Sequence, residues 1–291
     1  MGSEPGIVEQ EISADAAFEV LGHETRISII ETLGRADDPL SFSALRERVG
    51  ERDSGQFNYH LDKLRDTFVT RTEDEGYDLS YSGSQVFGAV LAGRFTKTAD
   101  VDDVPVEGDC ILCGGALTGN YQGRTFTVSC TDCEEPITTY PIPPGVFESY
   151  DLDAYAEVAS EYLWTRHLLF DHGFCEMCAG PIDGGINPVD EGAAGMTVSV
   201  AWECQRCGVS MESVLPAALM NHPVIQTFAR DHGHDLEAPI WEMGWLLGGD
   251  AEIVAEDPLR VETSVELGGE RLELLVDEAL TILESERVSL E

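Results

Sequence analysis

Residues 53–64 read DSGQFNYHLDKL. Asp53 and Gln56 stand three apart, a D-x-x-Q capping box that starts a helix running to about Asp66. Phe57, Leu61, Leu64 and then Phe68 recur at i, i+4, i+7 and i+11, so one stripe of this helix is apolar and packs. At about 100° per residue from Phe57, the side chains of Tyr59, Lys63 and Gln56 fall roughly 200–260° around the helix. They form an exposed polar cluster that Asn58 and His60 flank. Amide, phenol and ammonium groups of this kind bond base edges and phosphates.

Working outward, Ser13 caps a helix through about Leu21, and a Gly22-His23 break precedes a second helical run, Glu24–Leu33. Leu40–Val49 reads as another helix. After residue 66, two strand candidates, Phe68–Thr72 and Tyr77–Tyr81, surround the polar turn Glu73-Asp74-Glu75-Gly76, and a small-residue helix, Ser84–Ala92, closes the segment. Helix, helix, turn, helix and hairpin is the order of a winged helix-turn-helix, in which one helix enters the major groove of DNA. Arg52 before the helix and Arg71 on the hairpin are then phosphate partners. The competing reading packs Tyr59 or His60 against the second helix and leaves the arginines as surface charge.

The stretch FEVLGHETRISIIETL (18–33), followed by DSGQFNYHLDKL, closely resembles the ArsR-type winged-helix regulators common in archaea. YPIPPG (140–145), CEMCAGPI (175–182), NHPVIQTFARDHGHDL (221–236) and EDPLRVETSVEL (256–267) are similar to a haloarchaeal subfamily that carries zinc-ribbon modules. The resemblance implies a dimeric regulator binding double-stranded DNA, with Gln56, Asn58, Tyr59, His60 and Lys63 as contacts. Metal-sensing members of that family often place thiols in their DNA-binding helices. This chain has no cysteine before Cys110, so that inducer mechanism is not carried over.

All eight cysteines fall in four Cys-x-x-Cys pairs: Cys110/Cys113, Cys130/Cys133, Cys175/Cys178 and Cys204/Cys207. Each pair aims two thiolates at one centre, and two pairs complete a tetrahedral sulfur site suited to Zn²⁺. Sixteen residues separate the first two pairs and 25 the last two. In the first interval Ala116–Tyr121 and Thr125–Ser129 read as a hairpin with a Gln122-Gly123 turn. In the second, Gly184-Gly185 and Gly192–Gly195 suggest a long hairpin loop, with Thr197–Glu203 returning to the last pair. Sequential pairing is favoured, because each hairpin gathers its own thiols; pairing across modules stays open. Four thiolates leave no position for water or substrate, so both sites are expected to be structural. Thioredoxin-like dithiols are the main competitor, but that motif normally opens a helix after a strand.

Charge points the same way. There are 17 Lys+Arg against 55 Asp+Glu, a formal charge of −38, with carboxylates spread along the whole chain. That fits a proteome adapted to high salt, where self-repulsion is screened and a hydrated surface keeps proteins soluble. Residues 41–71 are spared: six cations meet five anions there, while 11 cations face 50 anions elsewhere. In concentrated salt, a surface that avoids negative charge is compatible with meeting a polyanion without a strong basic patch. The longest apolar stretch, Val86–Gly93, has eight residues, far short of the roughly twenty of a membrane span. With no secretory lead visible, a cytoplasmic protein without membrane contact is expected.

The expected architecture is α+β and multidomain. Residues 1–13 form a disordered acidic lead, 14–95 the winged helix-turn-helix, 105–145 a first zinc ribbon, 146–173 a connecting helix, 174–215 a second ribbon and 216–291 a small α+β region. Asp100–Glu107 reads as a charged linker. The connecting helix spans about Leu152–Phe170. A helix follows near Pro223–Asp231, then strands at Glu252–Ala255, Arg260–Leu267 and Glu270–Val276, the last two joined by Gly268-Gly269. Asp171-His172-Gly173 and Asp231-His232-Gly233 read as helix ends rather than metal ligands, and Trp241, Trp245, Leu246 and Leu247 as core rather than an apolar effector pocket. No G-x-S-x-G, Walker loop, G-x-G-x-x-G or H-E-x-x-H occurs, so an enzyme is not expected. Two rival functions remain: a zinc-ribbon adaptor that binds a protein of the transcription or translation machinery, and a thiol redox or metal sensor.

Overall fold

A computed structural model describes residues 12–74, 76–189, 197–234, 238–247 and 251–290. The acidic lead over 1–11 and the expected glycine loop at 192–195 lie outside the described residues. The chain divides into two units, one reaching Lys97 and including Pro143–Gly145, the other covering Thr98–Ile142 and Val146 onward.

In the first unit the helices are α1 (Ala14–Leu21), α2 (Glu24–Gly34), α3 (Phe42–Val49), α4 (Ser54–Leu64) and α5 (Tyr81–Leu91). Asp53 caps α4: its Oδ1 accepts the Gly55 and Gln56 N–H groups at 2.7 and 2.9 Å, satisfying two of the orphan donors at that end. The stripe expected from the sequence is buried, with Phe57, Leu61, Leu64 and Phe68 packed on Ile29, Ile30, Leu33 and Leu45. Strands β1 (Val69–Arg71) and β2 (Tyr77–Leu79) form an antiparallel hairpin. Two boundaries differ from expectation. Leu40 exchanges backbone hydrogen bonds with Tyr77 instead of starting α3, so it adds a one-residue third strand on the far side of β2. Tyr81 opens α5, because Ser80 turns there and caps the Gly83 N–H at 3.1 Å.

The second unit is β-rich. Strands β3 (Val101–Asp109), β4 (Ala116–Gln122), β5 (Thr125–Cys130) and β6 (Pro136–Pro141) make one antiparallel sheet in sequence order. The expected charged linker is therefore an edge strand: Val104 is fully buried in the core of this sheet, and the acidic residues around it face outward. The β4–β5 turn is Gly123-Arg124, both with positive φ, one residue later than expected. A short 3₁₀ turn at Leu152–Ala154 then leads into α6 (Tyr155–Asp171).

A second sheet follows, β7 (Ile182–Pro188), β8 (Val198–Cys204) and β9 (Ser210–Ser213). Gly184 and Gly185 are not a loop but lie inside β7. Gly184 sits opposite Trp202, and a Cβ there would lie 2.2 Å from the indole Cδ1, so glycine permits close approach rather than a turn. Helices α7 (Leu215–Ala218), α8 (Pro223–Asp231) and α9 (Gly244–Leu247) cover one face of a last antiparallel sheet. Its strands are β10 (Ala251–Glu256), β11 (Leu259–Leu267), β12 (Glu270–Asp277) and β13 (Ile282–Ser289). Gly268-Gly269, both at positive φ, turn β11 into β12 as expected; β13 was not foreseen.

Residues 216–291 do not have a core of their own. Ile186, Val200 and Trp202 of the β7–β9 sheet pack in one cluster with Phe228, Leu246, Val261 and Leu274. The first sheet leans instead on the opening turns of α6 and on Trp241, whose Nε1 donates to the Glu107 carbonyl at 3.1 Å. Trp241 and Leu246 are core, as expected. Trp245 borders an open hollow of about 870 Å³, but Glu252, Glu262, Glu266, Glu273, Glu284 and Glu286 line it, which excludes an apolar ligand site there.

Candidate metal centres and a candidate nucleic-acid interface

The four Cys-x-x-Cys turns share one backbone geometry. In each, the first cysteine N–H donates to the carbonyl five residues on: Cys110 to Gly115, Cys130 to Glu135, Cys175 to Gly180 and Cys204 to Val209, at 2.8–3.0 Å. The residue after the second cysteine is left-handed in every copy, at Gly114, Glu134, Ala179 and Gly208. This reversal turns both thiols inward and lets backbone N–H groups point at sulfur. Leu112, Asp132, Met177 and Arg206 donate to the first sulfur of their own turns at 3.3–3.4 Å.

The turns meet in sequential pairs, as the hairpins predict. Cys110, Cys113, Cys130 and Cys133 form one group and Cys175, Cys178, Cys204 and Cys207 another, with all four sulfurs of each within 4.8 Å of one another. The closest approaches are 3.8 and 3.5 Å in the first group and 3.6 and 3.5 Å in the second. A metal–sulfur bond of about 2.3 Å in a tetrahedron requires sulfurs about 3.8 Å apart, whereas a disulfide requires about 2.05 Å. Both groups therefore have metal-binding geometry. The electrostatics assist: the Cys133 N–H, outweighing desolvation, brings the Cys130 thiol down to about 7. At Cys204 burial opposes ionisation, yet the Cys207 and Arg206 N–H groups bring that thiol to about 6. Neighbouring thiols and burial raise Cys113 and Cys178 to about 12, so each site holds one readily ionised sulfur among four, and a soft four-sulfur set of this shape suits zinc.

The repeated Asp-His-Gly triplets are helix ends. His172 and His232 occupy the C-cap positions of α6 and α8, and Gly173 and Gly233 follow in the left-handed conformation. Both His232 nitrogens are engaged, Nδ1 with the Phe228 carbonyl at 2.8 Å and Nε2 with Glu270 at 3.2 Å.

On α4 the residues expected to face DNA divide. Gln56, Asn58, Tyr59 and Lys63 are exposed, Tyr59 at 55%. The Lys63 ammonium lies over the Tyr59 ring at 5.7 Å, and the Asn58 amide donates to Asp62 at 2.8 Å. Arg52 and Arg71 are also exposed, one just before α4 and the other on β1. His60 is the exception. Only 3% of it is accessible, and its ring lies 4.1 Å from that of His23, so it belongs to the contact between α4 and α2. A position about 300° from Phe57 borders the buried stripe, which is why one helical wheel serves both readings.

With these sites in place, comparison with known families is informative. Residues 107–282, more than half of the chain, match the family described as Domain of unknown function (DUF7351). The chain belongs to this family. The DUF7351 region contains both tetracysteine groups, α6 and the sheets packed around them. Residues 14–90, with α4 and the hairpin, match a second family model, Domain of unknown function (DUF7347). No curated protein matches the chain. Among the described residues no helix is long and apolar enough to cross a membrane.

Proposed function

We propose that this protein is a sequence-specific, DNA-binding transcription regulator of a halophilic archaeon, acting as a homodimer in the cytoplasm. Its first unit is a winged helix-turn-helix with α4 in the major groove, and its second is built on two structural zinc sites. The observation that carries the reading is the exposed face of α4. Tyr59, Lys63, Gln56 and Asn58 stand clear of the core there, within a stretch, 41–71, where six cations balance five anions in a chain of overall charge −38. Amides and an ammonium on a protruding helix can bond base edges, while Arg52 and Arg71 meet phosphates on either side. Arg71 is the only cation between Thr67 and Leu79, so the hairpin adds little affinity and α4 supplies most of it. A dimer reads two half-sites about one helical turn apart.

Zinc contributes to folding, not to chemistry. Each site is filled by four sulfurs, and the energy of binding them becomes folding energy for the sheets that converge on it. Selection of duplexes from a random pool by the zinc-loaded protein tests the reading. An inverted-repeat consensus, lost in a Tyr59→Ala/Lys63→Ala variant of unchanged stability, supports it; no enrichment over non-specific binding contradicts it. A second reading has one observation in its favour: Leu112 and Met177, at the tips of two cysteine turns, are apolar and more than 60% exposed. A protein adaptor would use such tips, and substitutions there would abolish function while α4 variants kept it.

A further inference from the structure

The contact that seats α4 on α2 contains two imidazoles packed ring against ring, tilted to each other. His60, on α4, is 3% exposed, and its Nδ1 is buried with no hydrogen-bond partner. The His23 ring lies 4.1 Å away with an interplanar angle of 36°. His23 is the N-cap of α2, and its Nδ1 accepts the Thr25 N–H at 3.2 Å, so that nitrogen carries no proton in this arrangement. Arg26, one turn further along α2, is 9% exposed and held by the Glu19 carbonyl at the end of α1. From the segment before α4, Glu51 faces the pair, and on α4 itself the Tyr59 ring lies edge-on to His60 at 5.3 Å. The only carboxylate acting on His60 from these elements is therefore opposed by an arginine and a second histidine.

We propose that the His23–His60 ring contact is a pH-sensitive latch that holds α4 against α2 while His60 is neutral and releases it when His60 takes up a proton. The inference rests on geometry: a proton on His60 has no acceptor at Nδ1, and the charge it brings is buried beside Arg26. A proton on His23 at Nδ1 also removes the cap of α2. In agreement, burial first, then His23 and Arg26, hold the His60 imidazole below its ordinary value, with Glu51 opposing them. A base whose folded-state pKa is depressed stabilises the docked state fully above its unfolded value of about 6.5, and that contribution is lost as pH falls. If α4 reads DNA as proposed above, the latch makes binding acid-sensitive, and this consequence alone depends on that reading.

Hydrogen exchange of the full zinc-loaded chain without DNA, corrected for intrinsic rates and read on α4 peptides against β11, tests the latch. Between about pH 7.5 and about pH 5.5, across the histidine range, α4 protection is expected to fall relative to β11 by up to about tenfold, because about one pH unit separates 5.5 from the unfolded value. His60→Phe keeps a ring in the contact and removes the loss. His23→Asn keeps a capping side chain and reduces it, which decides the matter should the first variant fold poorly. Unchanged α4 protection in the wild type, or an undiminished loss in His23→Asn, overturns the latch. DNA selection with no consensus at any pH would instead remove the DNA reading and leave this result standing.

Discussion

Arg166 on α6 forms an ion pair with Glu176, the residue between Cys175 of the second tetracysteine group and Met177, and both side chains are less than a tenth exposed. The same guanidinium lies 4.7 Å over the Tyr140 ring and donates to the Pro141 carbonyl at 3.3 Å, both at the end of β6. One buried cation thus ties the second cysteine site to the sheet that carries the first. Removing one partner leaves an uncompensated charge in the interior. Arg166→Met or Glu176→Gln alone is expected to destabilise the second unit by about 3–5 kcal/mol, while Arg166→Met/Glu176→Leu recovers much of it. Denaturant midpoints at saturating zinc check this, and additive losses in the double variant would contradict the coupling.

The neighbouring residue sets a pH dependence. His167 is 6% exposed, and burial alone holds its imidazole down at about 4. It stays neutral in the folded chain but protonates near 6.5 when unfolded, so its contribution is complete above about 6.5 and drains away toward pH 4. The span corresponds to about 3 kcal/mol at most. In His167→Phe the slope of stability against pH over this window is expected to flatten relative to wild type. Comparing the two at equal zinc saturation cancels the thiol protonation that they share.

Much of this organisation can be read from the sequence, and the failures share a cause. The cysteine turns, α8 and the Gly268-Gly269 hairpin are visible because each is a local device: a ligand spacing, an N-terminal proline and a two-glycine turn. The missed or misread strands β3, β6, β7, β9 and β13 all lie at sheet edges. An edge strand packs on one side only, so it carries charges, prolines and glycines that hide the alternation. Val104 is the single fully buried residue of β3, surrounded by acids that read as a linker. His60 sits where the buried and exposed arcs of α4 meet, which leaves two readings open in the sequence, and its partner His23 decides between them in favour of packing on α2.

Two glycines on α5 are expected to respond with opposite signs. A Cβ on Gly83 would lie 2.0 Å from the Phe68 carbonyl oxygen, a backbone atom that cannot step aside, whereas Gly88 has open space around it. Gly83→Ala should destabilise the first unit by about 1–3 kcal/mol. Gly88→Ala should stabilise it by about 0.4–1 kcal/mol through the unfolded chain and helix propensity. Thermal melts of the two variants side by side check the packing of α5 on the hairpin; shifts of the same sign would refute it.

Metal analysis has an equally direct outcome. Two tetracysteine groups predict two zinc ions per chain, and Cys130→Ser should lower the count to one while the second site stays filled. Stripping both with a strong chelator should lower the unfolding midpoint of the second unit by far more than losing one. Equal loss from both sites in Cys130→Ser would mean that the sites are not the independent, sequentially paired centres described.

Genome-wide occupancy of the tagged protein in its host tests the proposal that α4 reads DNA sequence. Working in the cell avoids an arbitrary choice of salt for a contact that depends steeply on salt. If α4 reads DNA, sharp promoter peaks appear over a shared, two-fold symmetric motif and are lost in Tyr59→Ala/Lys63→Ala while protein abundance is unchanged. No peaks, or peaks indifferent to that variant, would contradict it and turn attention to the exposed tips of the cysteine turns as protein-binding surfaces.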